Sequence, residues 1–510
     1  MRTMTMKTAT AKGKTAGLQL RRAVLCAVFA LSLTNCHGLL DVRDPDIVTP
    51  PDLSDPVTAL PIFRAGAIGD FALAYGGSGA DGSGGTEGMI LASGLLGDEL
   101  VNSETFPTRI EVDARSIQIT NATATTWFRT LHRARRATEV AADKYATLST
   151  SLTSQSGYPE MLALAGFTYV FFAENYCSGV PMSKVNADGS FTFGQPRTTT
   201  EILDTAVARF NAAIAAAIAL DTTVVSANTR RTMIRLAVVG KARAQVALGD
   251  FPGAVTTLNA TTVGAATPVP TSFAYVISHS EVTGRENNGV FLANVTNERY
   301  SVADREGNYA ASAPPVGIVG TGPGLPWRSQ PDPRTPFRRI PSTDRGFDGI
   351  TAQFDNLRFG NRNAPIPLAT GLEARLIEAE AALQPGGAGA TTWLNTLNAL
   401  RAAPPDYIGI DTISVAIVPT AALANLTDPG TPTAQQDLQF SERARWLWLS
   451  AHRLGDMRRL IRQYGRAENT VFPNGDYFKQ GRVYGADVNF PVPFDEENNP
   501  DFSQCIDRLP

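Results

Sequence analysis

Between residues 122 and 258 the chain repeats one pattern, Ala-rich segments of helix length joined by short turns. Residues 122–148 place Trp127, Leu131, Ala134, Thr138 and Ala141 on one side, near the 3.6-residue period. Residues 158–176 are mostly apolar, which predicts a buried helix. Thr198-Thr199-Thr200-Glu201 fits a capping box opening a helix to about Leu220. Asn228–Leu248 is a further helix. Gly249-Asp250-Phe251-Pro252-Gly253 then turns the chain into another helical run from Ala254. Small residues on the helix faces suit close packing of the tetratricopeptide type, with degenerate repeats, since no clean register of about 34 residues is present.

The expected fold class is therefore mostly α, with tetratricopeptide-like helical repeats and an irregular loop-rich insertion. Helical pattern also covers Leu60–Tyr75 and, after the glycine-rich loop Gly76–Gly88, a stretch to about Leu100. It returns at Leu372–Leu383, Thr392–Ala402 and Thr433–Gly465, where Thr433 and Gln436 suggest a second capping box. Residues 260–370 hold strand-like pieces, Phe273–Ile277 and Val290–Val295, among many Gly, Pro, Asn and Arg residues. Pro314–Pro341 reads as loop, and the C-terminus from Pro473 as extended. The expected organisation is a signal segment (1–35), a tether (36–60), a helical-repeat part (61–260), an irregular part (261–370) and a C-terminal helical part of the same fold (371–510).

The signal segment is read from order and charge. Six basic residues (Arg2, Lys7, Lys12, Lys14, Arg21, Arg22) and no acid precede an apolar run, Ala23–Leu33, that ends at Thr34-Asn35-Cys36. This order is that of a secretory signal, and the run is too short to span a bilayer. Leu33 stands three residues before Cys36, as in lipoprotein signals, so Cys36 is the expected lipidation site. Several acyl chains hold a protein stably at a membrane. The alternative is an ordinary signal peptide with Cys36 left a plain thiol. No other apolar run reaches spanning length by this reading. Taking six basic residues from 45 leaves 39 against 48 acids, a net charge of −9. Nucleic-acid partners are disfavoured, because phosphate neutralisation needs a basic face. Of the four cysteines, Cys177 and Cys505 remain after Cys26 leaves and Cys36 is acylated. Export permits a disulfide between them; two separately buried thiols are the alternative.

Motifs for chemistry are weak. The four histidines, His37, His132, His279 and His452, form no His-Glu-x-x-His pair, and no Cys-x-x-Cys occurs, so no metal site is expected. Gly320-Thr321-Gly322-Pro323-Gly324 has no helix after it and is no dinucleotide fingerprint. No cofactor is expected. Asp98 and Glu99 are adjacent, a poor arrangement for the two sides of a glycosidic bond, and are expected to be solvated or at a helix end. An enzyme is not expected. The irregular part carries Tyr300, Tyr309 and Trp327 in polar, Gly- and Pro-rich loops, with Arg328 and Asn308 beside them. Exposed aromatics stack on the apolar faces of sugar rings while polar neighbours take the hydroxyls, so these five are the candidate ligand-binding residues. The competing reading is that the rings plug loops onto the core.

Several segments together resemble the SusD/RagB family of outer-membrane nutrient-binding lipoproteins. The signal runs into Leu40-Asp41-Val42, Pro45-Asp46 and Thr49-Pro50. Phe171–Met182 resembles the family's buried helix ending in Gly-x-Pro-Leu, with Met182 in place of Leu. Glu373–Leu383 resembles its Leu-Ile-x-Ala-Glu-Ala helix, and Leu394–Arg401 the Leu-Asn-x-x-Arg element after it. Glu442–Arg459 is the closest segment, with His452-Arg453 and Asp456-Met457-Arg458-Arg459 in register. Phe490-Pro491-Val492-Pro493, Glu496 and Asn499-Pro500 follow its C-terminal signature. Asn35 and Ser450 depart from the pattern, and residues 260–360 carry no motif of it. The resemblance implies a non-catalytic protein of the cell outer membrane, lipid-anchored and exposed at the surface. It also implies an oligosaccharide or peptide ligand, and a SusC-like TonB-dependent transporter as partner. His452, Arg453 and Asp456 are expected to anchor the scaffold to neighbouring backbone rather than touch ligand. The alternative is a helical-repeat scaffold that binds protein partners at the cell envelope. A glycoside hydrolase is a third reading; it needs two acids converging in a cleft.

Overall fold

A computed structural model of the chain describes residues 55–79, 85–186, 190–261, 266–308, 320–340, 345–406 and 421–509. The chain divides into Met1–Ala59 and Leu60–Pro510. Of the first part, residues 55–59 are described; there Asp55 accepts hydrogen bonds from the Thr58 backbone N–H (3.3 Å) and hydroxyl (2.9 Å), opening helix α1 (Pro56–Tyr75). Cys36, with the signal and the tether up to residue 54, lies outside the described residues.

In the second part, α2 (Met89–Leu96), β1 (Leu100–Asn102) and α3 (Pro107–Asp113) lead into α4 (Ala122–Leu148) and α5 (Gly157–Asn175). Two small ribbons follow, β2 (Val180–Pro181) with β5 (Pro196–Arg197), and β3 (Lys184–Val185) with β4 (Phe191–Thr192). The chain returns to helix in α6 (Thr199–Ile218), α7 (Ala227–Leu248) and α8 (Phe251–Leu258). The irregular part holds β6 (Ala274–Ile277), β7 (Tyr300–Val302), β8 (Phe337–Arg339), β9 (Phe354–Asn356) and β10 (Ile366–Thr370). Antiparallel pairs join β1 to β7, β6 to β10 and β8 to β9. Helices α9 (Gly371–Ala382), α10 (Ala390–Ala402), α11 (Pro432–Trp446) and α12 (Arg453–Arg462) complete the fold.

Small residues decide how closely the helices pack. Gly166 on α5 and Gly240 on α7 both face the Phe210 ring of α6; a Cβ would stand 2.7 and 2.4 Å from that ring. Three helices therefore meet over one phenyl group, with Phe167 edge-on to it at 5.1 Å. The capping box at Thr198 and Glu201 is formed. Helix α7 ends at Gly249, whose φ of 82° suits glycine, and Asp250 then accepts from the Gly253 N–H at 2.9 Å to start α8.

Some local expectations are corrected. Val290–Val295 is not a strand. One helical turn (Gly289–Phe291) and a wide turn (Leu292–Thr296) follow Asn288, whose side chain accepts from the Phe291 N–H. A short apolar run cannot be told from helix by periodicity alone, and the cap decides. The cap of α11 is Thr431, accepting from the Ala434 N–H, with Pro432 at the first helical position, so Thr433 and Gln436 form no box. Helix α1 begins earlier than Leu60, and it is long and apolar enough to cross a membrane by length and composition. Its Phe71 and Tyr75 nevertheless pack in the core beside Phe171, and Arg64 pairs with Glu160, so it is part of the folded body.

Ionic contacts tie α12 to elements far away in sequence. Arg453 makes a two-pronged pair with Asp98 at 2.6 and 2.7 Å. Asp456 accepts from Arg443 and Arg459, and Arg459 also reaches Glu380. His452 Nε2 lies 3.0 Å from Glu373. These residues are buried. They hold side chains of neighbouring elements, where backbone anchoring had been expected. Burial raises the Asp456 carboxyl, but Arg443 and Arg459 outweigh it and hold that group well below the usual range. Cys177 and Cys505 form a disulfide with Cα atoms 6.0 Å apart, fastening the C-terminal tail to the end of α5.

Candidate ligand-binding surface

Two phenyl rings on the described surface share one cation. Phe106 and Phe347 are 45% and 55% exposed. The Arg299 guanidinium lies 5.4 Å from the first ring centroid and 4.8 Å from the second. Arg109 lies 5.0 Å from the Phe106 ring.

Each part is fixed by local structure. Phe106 is the residue before α3, where Pro107 sets the first helical turn. Arg299 immediately precedes β7, and the Ser103 N–H donates to its carbonyl at 3.0 Å, extending the β1–β7 pairing by a step. Phe347 stands at the tip of a hairpin bridged at Arg345 and Ala352. Gly349, with φ of 71°, lets the tip turn. The tip is clamped to β1 and β7: the Phe347 N–H donates to Glu298 O and the Asp348 N–H to Ser103 O, at 2.9 and 3.0 Å. Asp348 also pairs with Lys479 at 2.6 Å. The exposed rings thus sit on rigid supports, the situation in which loop residues bind.

Beneath the rings lies a compact charge cluster. Arg109 bridges Glu87 and Glu104 at 2.6 and 2.5 Å. Arg299 approaches Glu104 at 3.4 Å, a long contact. Burial pushes the Glu104 carboxyl up, against the pull of Arg109. Tyr300 is buried under this cluster; burial first, then Glu87, raises its hydroxyl. Such a surface offers flat apolar faces for the C–H side of a sugar and charged groups at the edge for polar substituents.

The five residues expected from sequence fall elsewhere. Trp327 is 1% exposed, its indole N–H donating to the Asp98 carbonyl and its ring facing Trp448 at 6.3 Å. Tyr300 is fully buried. Both rings fill the interior because loops in this part fold onto the core, which corrects their assignment to an exposed platform. Arg328 is half-buried, its guanidinium 4.0 Å from the Phe354 ring and its Nε donating to Ala303 O. Asn308 is exposed, its N–H bonded to Asn474 O. Tyr309 lies outside the described residues. Phe347 had a readable signal, an aromatic at the tip of Gly346-Phe347-Asp348-Gly349; Phe106 had none beyond the following proline. Asp98 and Glu99 do follow a helix end, that of α2, but they are fully buried rather than solvated. Asp98 is occupied by Arg453 and the Leu325 N–H, and Glu99 accepts from the Leu449 N–H. Among the described residues no three His, Cys, Asp or Glu side chains gather as a metal site.

No protein-family profile matches the sequence, and no curated protein sequence does. Solved structures do match. A laminarin-binding SusD-like protein superposes with a TM-score of 0.54 at 14% identity, over 88% of this chain and 99% of that one. The surface glycan-binding protein A from Bacteroides uniformis gives 0.57 at 14%, over 88% and 98%. A SusD-like carbohydrate-binding protein from Bacteroides fragilis gives 0.57 at 13%, over 86% and 98%. The fold is SusD-like. This SusD-like chain spans nearly the full length of those structures, and what is shared at such identity is the fold. The Phe106–Arg299–Phe347 surface joins the start of α3 to the residue before β7 and to the hairpin tip at Phe347.

Proposed function

We propose that the chain is a lipid-anchored nutrient-binding protein of the cell outer membrane. In this reading it captures a glycan on the Phe106–Arg299–Phe347 surface and delivers it to a TonB-dependent transporter. The observation that carries the reading is that surface: two exposed rings around one guanidinium, each held by backbone hydrogen bonds or a helix start. The Cys36 signal supports anchoring, and the SusD-like neighbours with carbohydrate-binding descriptions support a sugar as ligand. Capture rather than turnover is supported by Asp98, whose carboxylate is committed to Arg453.

A second reading, docking of a protein segment, has one observation in its favour. A groove of about 910 Å³ opens between the α7–α8 and α9–α10 pairs, lined by Phe251, Val255, Ala381 and Thr392 among others. Calorimetric titration with oligosaccharides of increasing length separates the two. Stacking on two rings contributes on the order of 1 kcal/mol each, so single sugars bind weakly and affinity rises with length. Absence of binding to every oligosaccharide leaves the docking reading.

A further inference from the structure

The two exposed rings belong to segments far apart in sequence, and one buried ammonium is bonded to both segments. Lys479 stands at the tip of a hairpin bridged at Asp476 and Val483, where Gln480 and Gly481 turn the chain with φ of 59° and 60°. Its side chain is 3% exposed. An ammonium carries three donors and no acceptor. Here Nζ donates to the Asn102 carbonyl and side-chain oxygens at 2.5 and 2.9 Å, with the Glu104 carbonyl at 3.3 Å. Glu104 is two residues before Phe106, and Asn102 Oδ1 also accepts from the Glu104 N–H at 3.1 Å. The same Nζ meets Asp348 Oδ2 at 2.6 Å, one residue after Phe347. Asp348 Oδ1 accepts from the Ile350 and Thr351 N–H groups at 2.9 and 2.8 Å, so this carboxylate shapes the hairpin tip as well as tying it down. Charge-assisted bonds away from water are short, strong and directional. Both ring centroids lie within 5.4 Å of one atom, Arg299 Cζ, so they stand no more than about 11 Å apart. A disaccharide or trisaccharide covers that length.

We infer that Lys479 is a positioning residue for this surface: bonded to the Phe106 segment and to the Phe347 tip at once, it fixes the spacing at which both rings engage two or three consecutive sugars of one chain. The inference rests on the glycan reading of the Phe106–Phe347 surface. It adds how many sugars that surface reads and what holds it to that length. Lys479 touches no ligand and acts through the Asp348 carboxylate. Rings held in place before the ligand arrives lower the ordering cost of binding. Sugars beyond the third lie past both rings and gain no stacking contact.

The test compares cello-, laminari- and malto-oligosaccharides of one to six units on the mature chain and its variants, by calorimetry with competition for the weaker ligands. In the parent, affinity within the best series is expected to rise about fivefold as the second ring is engaged, and to level off beyond the trisaccharide. Asp348→Asn keeps an oxygen for the Ile350 and Thr351 N–H groups and removes the charge that Lys479 holds, so it is expected to melt within a few degrees of the parent. Its trisaccharide affinity is expected to drop about fivefold, to near that of the single sugar, with single-sugar affinity unchanged. Lys479→Met is expected to do the same, and where it fails to fold, Asp348→Asn carries the test. In the Phe347→Ala background Asp348→Asn is expected to have no further effect, since the carboxylate acts through that ring. The Phe347 amide is expected to exchange its hydrogen faster in Asp348→Asn than in the parent. Unchanged trisaccharide affinity in Asp348→Asn, an equal loss at every ligand length, or losses that add to those of Phe347→Ala overturn the positioning role. Affinity that climbs steadily to six units overturns the span. Each of these leaves the glycan reading standing, whereas a parent that binds none of the three series removes both.

Discussion

Arg453 and Asp98, 355 residues apart in sequence, face each other in the interior with both guanidinium–carboxylate contacts at 2.7 Å or less. The pair joins the start of α12 to the segment between α2 and β1, and Asp98 also holds the loop before Trp327 through the Leu325 N–H. Removing one partner strands the other charge in a dry interior. Asp98→Ala is therefore expected to lose about 3–5 kcal/mol in urea unfolding. A loss below about 1 kcal/mol contradicts the structural role assigned to the pair.

Trp327 separates the core reading from the platform reading. Its ring is buried against Trp448. Trp327→Ala is expected to destabilise the fold by about 3–5 kcal/mol, while the folded fraction keeps its ligand affinity. A variant of normal stability with weakened binding would return Trp327 to the binding surface.

Glu99 gives a pH dependence with a definite sign. Burial pushes its carboxyl up to about 8, and one of its oxygens has no partner. In the unfolded chain the group ionises near about 4.3, so between the two values the native state holds a proton the unfolded state has released. Stability thus falls as pH rises through that window. Glu99→Gln keeps an acceptor for the Leu449 N–H and cannot ionise. Thermal melts from about pH 5 to about pH 8 are expected to decline more steeply for the parent than for Glu99→Gln. Asp456 acts in the opposite direction: it is depressed, so its contribution is present above about pH 4 and is lost as pH falls further. Parallel curves for parent and variant would sink the Glu99 assignment.

The helical part was legible because its signals are local. The apolar stripe of 122–148 and the boundaries of α4 coincide, as do the Thr198–Glu201 box and the start of α6. The burial of the Asp98–Glu99 pair was not legible because it depends on Arg453 and Leu449, which no window around residue 98 contains. The aromatics divided by the same rule. Trp327 and Tyr300 share the polar, loop-like surroundings of a surface residue, and long-range contacts from Asp98, Trp448 and β1 draw them inward. Phe106 and Phe347 become one surface through Arg299, which lies far from Phe106 in sequence and meets both rings through strand pairing.

The most direct measurement is calorimetric titration of the mature chain and of the Phe106→Ala/Phe347→Ala double variant with the tightest-binding oligosaccharide of the panel. Both rings are exposed, so the variant is expected to unfold at the temperature of the parent. Its affinity is expected to fall by roughly 2 kcal/mol, about thirtyfold. An unchanged dissociation constant in a folded double variant would contradict the assignment of this surface as the place where ligand is captured.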